Sequence, residues 1–212
     1  MSDALAVSDA LAAATLVVLV RHGLPQVDGT ADPGLSPTGL TQAQALADLL
    51  VPERPAALLS SHLQRARQTV APLAERLGLE VTIDEDLREW ESSHPQPYYR
   101  PPEALDGSPR LAAYREGRFA DFLPPHDAEG LADRMVAAVR RGAKAHPGAS
   151  VVVASHGGAI NALVARVLDA AVSFNFEPAY TGITRVRLMP DGRLVLVSVN
   201  EAGHLRPPVA RP

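Results

Sequence analysis

The chain has 212 residues, which is enough for one substantial hydrophobic core and, on size alone, for one domain. Hydrophobic residues make up 46% and charged residues 21%, so the composition is that of an ordinary globular protein and excludes a disordered chain. The formal net charge of -4 gives no electrostatic footprint for nucleic acid or an anionic membrane, and the absence of cysteine excludes disulfides, thiolate nucleophiles and cysteine-metal sites.

The two ends of the chain are interpreted as tails around a single domain of residues 12–205. The apolar run over residues 11–20 has the length of a signal-peptide core, but the residues before it carry aspartates and neither lysine nor arginine. A secretory signal begins with positive charge, and the run is too short to span a bilayer. We therefore expect a cytoplasmic protein, with tails at residues 1–11 and 206–212.

Strand and helix patterns alternate along the chain. Short apolar runs, and an alternating pattern around the turn signal Asp191–Gly192, predict strands over residues 15–20, 56–61, 80–84, 150–155 and 183–199. Helical spacing, with Ser36 as the first capping residue, predicts helices over residues 37–50, 62–78, 131–145 and 157–169. This order predicts an α/β fold, namely a three-layer sandwich with a mostly parallel central sheet and a C-terminal antiparallel hairpin.

Residues 90–127 interrupt this alternation. The segment from Trp90 to Pro125 holds seven of the 19 prolines, together with tyrosine and phenylalanine residues. Long proline-rich insertions in compact domains are often binding loops. We therefore expect a lid over the carboxyl ends of the strands, and a surface excursion without a role is the alternative.

Two of the predicted strands end in the same way, with a histidine followed by glycine. The first strand runs into Arg21 and His22, and the strand over residues 150–155 runs into His156 and Gly157. In open α/β sheets, ligands bind beyond the carboxyl ends of the strands, and glycine there lets the backbone approach an anion closely. If the two strands are adjacent, both imidazoles lie in one crevice.

Other strand ends add arginines and carboxylates. Arg65 and Arg67 follow the second strand, and since residues two apart do not share a helical face, one of them is expected to point into the crevice. The third strand leads into an acidic stretch, residues 85–91, which contains Glu89. Guanidinium groups bind phosphate oxygens, a neutral imidazole can attack phosphorus, and a protonated carboxyl can protonate a leaving group. Together these groups indicate phosphoryl chemistry that requires no metal.

In order and spacing, the chain resembles the histidine phosphatase superfamily, also called the phosphoglycerate mutase-like family. The resemblance lies in the segments LVRHG, SSHLQRARQT, LREW, VVVASHGG and NEAGHL, and it spans about residues 15–205. A single histidine at a strand end is more often structural than catalytic, and a pair of arginines on a helix is often a solvated face. Only the combination is specific.

The resemblance implies a role for each matching residue. It implies that His22 is the nucleophile that becomes phosphorylated and that Glu89 is the general acid and base. It implies that His156 is the third catalytic residue, as the second histidine of the phosphate pocket. The phosphate ligands that it implies beside them are Arg21, Arg65 and the backbone N–H of Gly157.

The chain departs from the family around the expected substrate. Leu24 and Pro25 follow the Arg-His-Gly motif where many members have polar residues, and Asp28 stands at a usual asparagine position. His62 stands where aspartate or proline is frequent, and we expect it as a substrate contact. The phosphate core is therefore intact, whereas the surrounding residues that select the rest of the substrate are atypical.

The predicted function is that of a metal-independent phosphomonoesterase, which hydrolyses a small phosphorylated metabolite through a phosphohistidine and uses no cofactor. A cofactor-dependent phosphoglycerate mutase is the first alternative, because further arginines lie near the insertion. A non-catalytic phospho-ligand-binding module is the second, although such proteins usually lack the nucleophile or an arginine. A zinc hydrolase is disfavoured because two arginines would repel a dication. No nucleic-acid or membrane partner is expected, and a homodimer stays open.

Overall fold

The computed structural model describes residues 11–90 and 128–205, together with the single positions Gly107, Pro109, Ala112, Ala113 and Glu116. The lid predicted over residues 90–127 thus lies almost wholly outside the described residues. The strands are β1 (Thr15–Arg21), β2 (Ala57–Ser60), β3 (Val81–Ile83), β4 (Ser150–Ser155), β5 (Ile183–Leu188) and β6 (Leu194–Glu201). The helices are α1 (Pro37–Leu50), α2 (Gln64–Leu77), α3 (Ala128–Lys144) and α4 (Gly157–Val167). Within the described ranges, no helix has the length and apolar character needed to cross a membrane.

The six strands form one sheet in the order β3-β2-β4-β1-β5-β6. The first four strands of the chain pair in parallel, whereas β5 runs antiparallel to β1 and β6 runs antiparallel to β5. Parallel neighbours need crossover connections, and α1, α2 and the segment containing α3 supply them. The predicted α/β fold, with its mostly parallel sheet and C-terminal hairpin, is confirmed.

Strand β1 is apolar at consecutive positions because both of its faces are covered. Val17 and Leu19 belong to a core cluster with residues of α3 and α4. Val18 and Val20 belong to a second cluster with residues of α1 and α2. Successive side chains of a strand point to opposite faces, so a strand with helices on both sides lacks polar alternation. The helices thus form the two outer layers of a sandwich.

The register between β1 and β4 decides which residues meet at the carboxyl edge of the sheet. Arg21 at the end of β1 is paired with Ser155 at the end of β4. The backbone N–H of His22 then donates to the carbonyl of Ser155 at 3.0 Å. Because the strands are parallel neighbours, the residues that follow them, His22 and His156, emerge side by side.

The helix boundaries differ slightly from the sequence prediction. Helix α3 begins at Ala128, three residues before the predicted start at residue 131, and α4 ends at Val167 rather than at residue 169. Asp169 has a φ of 53°, in the left-handed region that commonly closes a helix. The periodicity of apolar residues indicated both helices, but it did not mark where the backbone turns away.

We expect Leu46→Ala to destabilise the fold by roughly 2–5 kcal/mol, because it would open a cavity in the core. Leu46 is 0% exposed between α1 and the sheet, whereas Leu49 on the same helix is 39% exposed. The matched variant Leu49→Ala should cost about 1 kcal/mol or less. Denaturant unfolding of both variants measures the difference, and equal losses would contradict this packing of α1.

Candidate active site

Two buried imidazoles lie side by side at the carboxyl edge of the sheet. The ring centroids of His22 and His156 are 5.2 Å apart, and the rings are inclined by 57°. Both side chains are nearly inaccessible, with exposures of 2% for His22 and 0% for His156. The sequence prediction that two distant histidines meet in one crevice therefore agrees with the geometry.

Two arginines bring positive charge to this pair. Arg21 donates from Nη1 to the carbonyl of Pro178, and its guanidinium carbon lies 3.8 Å from the ring centroid of Tyr180. Arg65, in the first turn of α2, is 1% exposed, and its Nη1 lies 3.7 Å from a carboxylate oxygen of Asp32. Arg67 is exposed, as expected for a residue two positions away on the same helix.

The orientation of the His22 ring is fixed by its own loop. Nδ1 of His22 lies 2.8 Å from the carbonyl of Gly23, and since a carbonyl only accepts, Nδ1 carries the proton. The N–H of Gly23 donates to Oγ1 of Thr69 at 2.9 Å, which anchors the loop to α2. The loop also packs against α1, since a Cβ at Gly23 would come within 2.8 Å of the carbonyl oxygen of Gly39. Because Nδ1 carries the proton of the neutral His22 ring, Nε2 holds the lone pair.

Burial keeps the His22 imidazole neutral. Desolvation lowers the pKa of His22 well below its ordinary value, and the positive charges of Arg65 and Arg21 lower it further. The hydrogen bond to the Gly23 carbonyl opposes this shift. Desolvation also lowers the pKa of His156, followed by the charge of Arg65. Both rings are thus uncharged at neutral pH when the site holds no anion.

The second imidazole is held by a serine from the neighbouring strand end. Nε2 of His156 lies 2.9 Å from Oγ of Ser61, and the hydroxyl also accepts from the N–H of Leu63 at 3.3 Å. Nδ1 of His156 is buried and has no hydrogen-bond partner among residues 11–90 and 128–205. Buried polar atoms without a partner are rare in native structures, so this nitrogen is a candidate contact for a ligand oxygen.

Glu89 lies against the first turn of α4. Its Oε2 accepts from the N–H of Gly158 at 2.8 Å, and its Oε1 accepts from the N–H of Trp90 at 3.1 Å. Burial raises the pKa of Glu89, while the two backbone hydrogen bonds, Arg65 and Arg134 act in the opposite direction. Burial is the larger effect, so the carboxyl retains its proton to a higher pH than an exposed glutamate.

Arg134 holds the loop that carries this carboxyl. From α3, its Nη1 donates to the carbonyls of Asp86 and Arg88 at 2.6 and 2.7 Å. Burial lowers the pKa of Arg134 to about 10, which leaves it charged at neutral pH. The sequence analysis did not identify Arg134, because its partners are backbone carbonyls that no side-chain motif reveals.

The remaining predicted residues lie around the same edge. Gly157 is the first residue of α4, and a Cβ there would lie 3.4 Å from Nε of Arg21, so the helix N-terminus lies next to this guanidinium. His62 is partly buried, and its charge is one of those that lower the pKa of His156. Sequence reasoning missed Ser61 and Tyr180, although Ser61 stands within the SSHLQRARQT segment.

The donor set is suited to an anion rather than to a metal ion. Across the part of the chain that the structure describes, no group of three or more histidine, aspartate or glutamate side chains could hold a metal ion. Two guanidinium groups, Nδ1 of His156 and a helix N-terminus instead present N–H donors beside the lone pair of His22 Nε2. This combination binds tetrahedral oxyanions such as phosphate.

Sequence comparison agrees with this geometry. The family model of the histidine phosphatase superfamily (branch 1) matches residues 17–202. A metal-independent phosphoserine phosphatase of Arabidopsis thaliana is 30% identical over 202 residues, which cover 90% of this chain and 83% of the relative. A glucosyl-3-phosphoglycerate phosphatase of Mycobacterium tuberculosis (strain CDC 1551 / Oshkosh) is 34% identical over 182 residues, which cover 74% of this chain and 77% of the relative.

Solved structures show the same fold. A mycobacterial glucosyl-3-phosphoglycerate phosphatase in complex with VO3 aligns with a TM-score of 0.69 at 29% identity, covering 88% of this chain and 99% of that chain. Bacillus stearothermophilus YhfR aligns with a TM-score of 0.75 at 20% identity, covering 91% of this chain and 100% of that chain, which bears on the fold alone. The family predicted from the sequence segments is confirmed.

We expect Gly158→Ala to displace Glu89 and to lower kcat/KM for an alkyl phosphate by about 10²-fold, since small misplacements of a reacting group have effects of this size. A Cβ at Gly158 would lie 2.6 Å from Oε1 of Glu89 and 2.9 Å from Cδ1 of Trp90. The neighbouring variant Gly157→Ala is the control, because its Cβ would make no contact shorter than 3.4 Å. Steady-state kinetics of both variants check this, and a smaller loss for Gly158→Ala than for Gly157→Ala would contradict it.

Proposed function

Because the chain belongs to the histidine phosphatase superfamily (branch 1), we propose that it hydrolyses a small phosphorylated metabolite through a phosphohistidine on His22. The chain is a phosphoric monoester hydrolase, as its family and its phosphatase relatives indicate. The observation that carries the residue assignment is the 5.2 Å approach of two buried imidazoles, His22 and His156, beside the arginines Arg21 and Arg65.

In the first step, Nε2 of His22 attacks the phosphorus of the substrate. The N–P bond forms while the ester P–O bond breaks, and the electron pair of that bond goes to the leaving oxygen. The protonated carboxyl of Glu89 gives its proton to this oxygen, so an alcohol departs. The phosphorylated ring is cationic, and its Nδ1–H remains bonded to the carbonyl of Gly23, which stabilises the charge.

In the second step, water attacks the phosphorus of the phosphohistidine. The carboxylate of Glu89, now deprotonated, takes a proton from this water. The N–P bond breaks, its electron pair returns to Nε2 of His22, and inorganic phosphate leaves. The same carboxyl thus acts first as an acid and then as a base, and no group is consumed.

The charge on the phosphoryl oxygens is stabilised by fixed donors. Arg21 and Arg65 supply guanidinium N–H groups, and the backbone N–H of Gly157 lies at the positive end of α4. The hydroxyl of Ser61 can donate its proton to Nε2 of His156, which leaves Nδ1–H of that ring to donate to a phosphoryl oxygen. These donors supply the charge stabilisation that a metal ion supplies in other phosphatases.

The two curated relatives are named for phosphoserine and for glucosyl-3-phosphoglycerate, which both carry a carboxylate near the phosphate ester. We propose His62 as the group that meets the substrate beyond its phosphate, because it lies close enough to His156 to act on its pKa.

The single domain of residues 12–205, the cytoplasmic location and the homodimer stay predictions.

His22→Ala should lower phosphate release from p-nitrophenyl phosphate by about 10³-fold or more, because it removes the nucleophile. His146→Ala is the control, since His146 lies in the turn before β4, at the opposite edge of the sheet from the site. Phosphate release is measured for both variants, and thermal unfolding checks that each variant is folded at the assay temperature. Unchanged release from His22→Ala would disprove the phosphohistidine mechanism.

Glu89→Gln should reduce turnover of an alkyl phosphate by about 10²–10⁴-fold, but that of p-nitrophenyl phosphate far less, since a good leaving group needs no proton. Glu85→Gln, an exposed glutamate of the same acidic stretch, is the matched control. Equal losses of Glu89→Gln on both esters would assign the acid to another residue, such as Asp86.

The pH dependence of kcat/KM for an alkyl phosphate, which reports the ionisations of the free enzyme, should be bell-shaped. Activity requires neutral His22, whose pKa is lowered, so the acid limb should lie well below the ordinary histidine range. It also requires protonated Glu89, whose pKa is raised, so the alkaline limb should lie above the ordinary glutamate range. In Glu89→Gln the alkaline limb should vanish, and its persistence would contradict this assignment.

A further inference from the structure

The segment NEAGHL, residues 200–205, is not used in the two chemical steps, yet it contacts the loop behind the phosphate site. Oδ1 of Asn200, at the end of β6, accepts from the N–H of Ala179 at 2.7 Å, and its Nδ2 donates to the carbonyl of Glu177 at 2.8 Å. Nε2 of His204 lies 3.0 Å from Oγ1 of Thr181. Two side chains of one short segment thus hold both ends of the loop formed by residues 177–181.

This loop in turn holds the end of β1. The carbonyl of Pro178 accepts from Nη1 of Arg21, and the ring of Tyr180 lies against the same guanidinium. The N–H of Thr181 donates to the carbonyls of Arg21 and His22 at 3.1 and 3.3 Å. The loop therefore fixes the side chain of the phosphate arginine and the backbone of the nucleophile.

The backbone of the loop is in a conformation that its sequence does not favour. Thr181 is fully buried with a φ of 57°, although a β-branched residue rarely adopts the left-handed region. Such a conformation persists only where the surrounding contacts impose it. Asn200 also has a positive φ, 55°, but asparagine tolerates this region.

The space around Asn200 is shaped for its amide. A Cβ at Gly182, the residue after the loop, would come within 2.5 Å of Oδ1 of Asn200 and 2.8 Å of the carbonyl oxygen of Ala179. Glycine at this position lets the amide reach the loop backbone. Both hydrogen bonds of Asn200 therefore depend on a close approach that a larger residue at 182 would prevent.

The hydrogen-bond roles at His204 follow from the hydroxyl of Thr181. Oγ1 of Thr181 lies 2.7 Å from the carbonyl of Tyr180, to which it donates its one proton. The hydroxyl then accepts from His204, so Nε2 of His204 carries a proton. Glutamine places an amide N–H near the position of Nε2, whereas leucine provides no donor.

We propose that Asn200 and His204 are positioning residues, which hold the loop of residues 177–181 so that the Arg21 guanidinium faces the phosphoryl group. The proposal rests on the proposed function, because Arg21 has a reacting group to bind only if the site takes phosphate. Neither residue touches the substrate. Their effect reaches the chemistry through the carbonyl of Pro178, the ring of Tyr180 and the backbone of Thr181.

The first experiment compares vanadate binding by calorimetry in wild-type protein, Asn200→Gly and Asn175→Ala. Glycine adopts a positive φ without strain, so Asn200→Gly removes the two side-chain hydrogen bonds alone. We expect vanadate affinity to fall about tenfold in Asn200→Gly. Asn175→Ala is the control, since among the described residues the exposed side-chain amide of Asn175 bonds only the carbonyls of Ala171 and Ser173, and the affinity of this variant should stay unchanged.

A double-mutant cycle with Arg21→Met separates positioning from a general loss of structure. If Asn200 acts through Arg21, adding Asn200→Gly to Arg21→Met should change vanadate affinity by less than about twofold. A full additive loss in the double variant, or wild-type affinity in Asn200→Gly, overturns the proposal. A wild-type protein that neither binds vanadate nor releases phosphate would instead overturn the proposed function.

The histidine gives an independent test that does not depend on Asn200→Gly folding. His204→Leu should weaken vanadate binding about tenfold, and His204→Gln should restore most of this loss because its amide can still donate to Thr181. Thermal unfolding confirms that each variant is folded at the assay temperature. Equal affinities in His204→Leu and His204→Gln overturn the role of this hydrogen bond.

Discussion

The parallel pairing of β1 with β4 is the constraint on which the site depends. It sets Arg21 opposite Ser155 and so brings the next residue of each strand, His22 and His156, to the same edge of the sheet. The helix that follows β4 starts at this edge, and its first N–H groups face the same volume. A register shift of one residue would move every side chain on β1 to the other face of the sheet, so the two histidines would no longer emerge side by side.

Burial shifts the pKa of the proposed acid, Glu89, and that of the proposed nucleophile, His22, in opposite directions for the same physical reason. Removing water disfavours the charged form of any group, so it lowers the pKa of His22 and raises the pKa of Glu89. A neutral imidazole and a neutral carboxyl are the two forms that the proposed first step requires. The arginines lower the pKa of His22 further, while the backbone N–H groups of Gly158 and Trp90 oppose the rise in the pKa of Glu89 and so favour the carboxylate of the proposed second step.

The proposed reacting groups are held by residues that come from distant parts of the chain. Arg134 on α3 fixes the loop of Glu89 through carbonyls, and Asn200 on β6 fixes the loop that contacts Arg21. The residues proposed to bind phosphate lie within the part of the chain that matches the family, residues 17–202. His62, which departs from the family's usual residue, is the group proposed to meet the rest of a substrate.

The sequence by itself determined the α/β order of elements, because a strand buried on both faces is apolar at every position, and it determined the two histidine motifs at strand ends. It could not choose Glu89 from the acids around it, or Arg65 over Arg67, without family resemblance, since local spacing does not tell which side chain is buried. Only the tertiary structure placed Glu89 against Gly158. The contact between residues 177–181 and residues 200–205 was likewise visible only in the tertiary structure. A positive φ and contacts between distant segments leave no periodic pattern in the sequence.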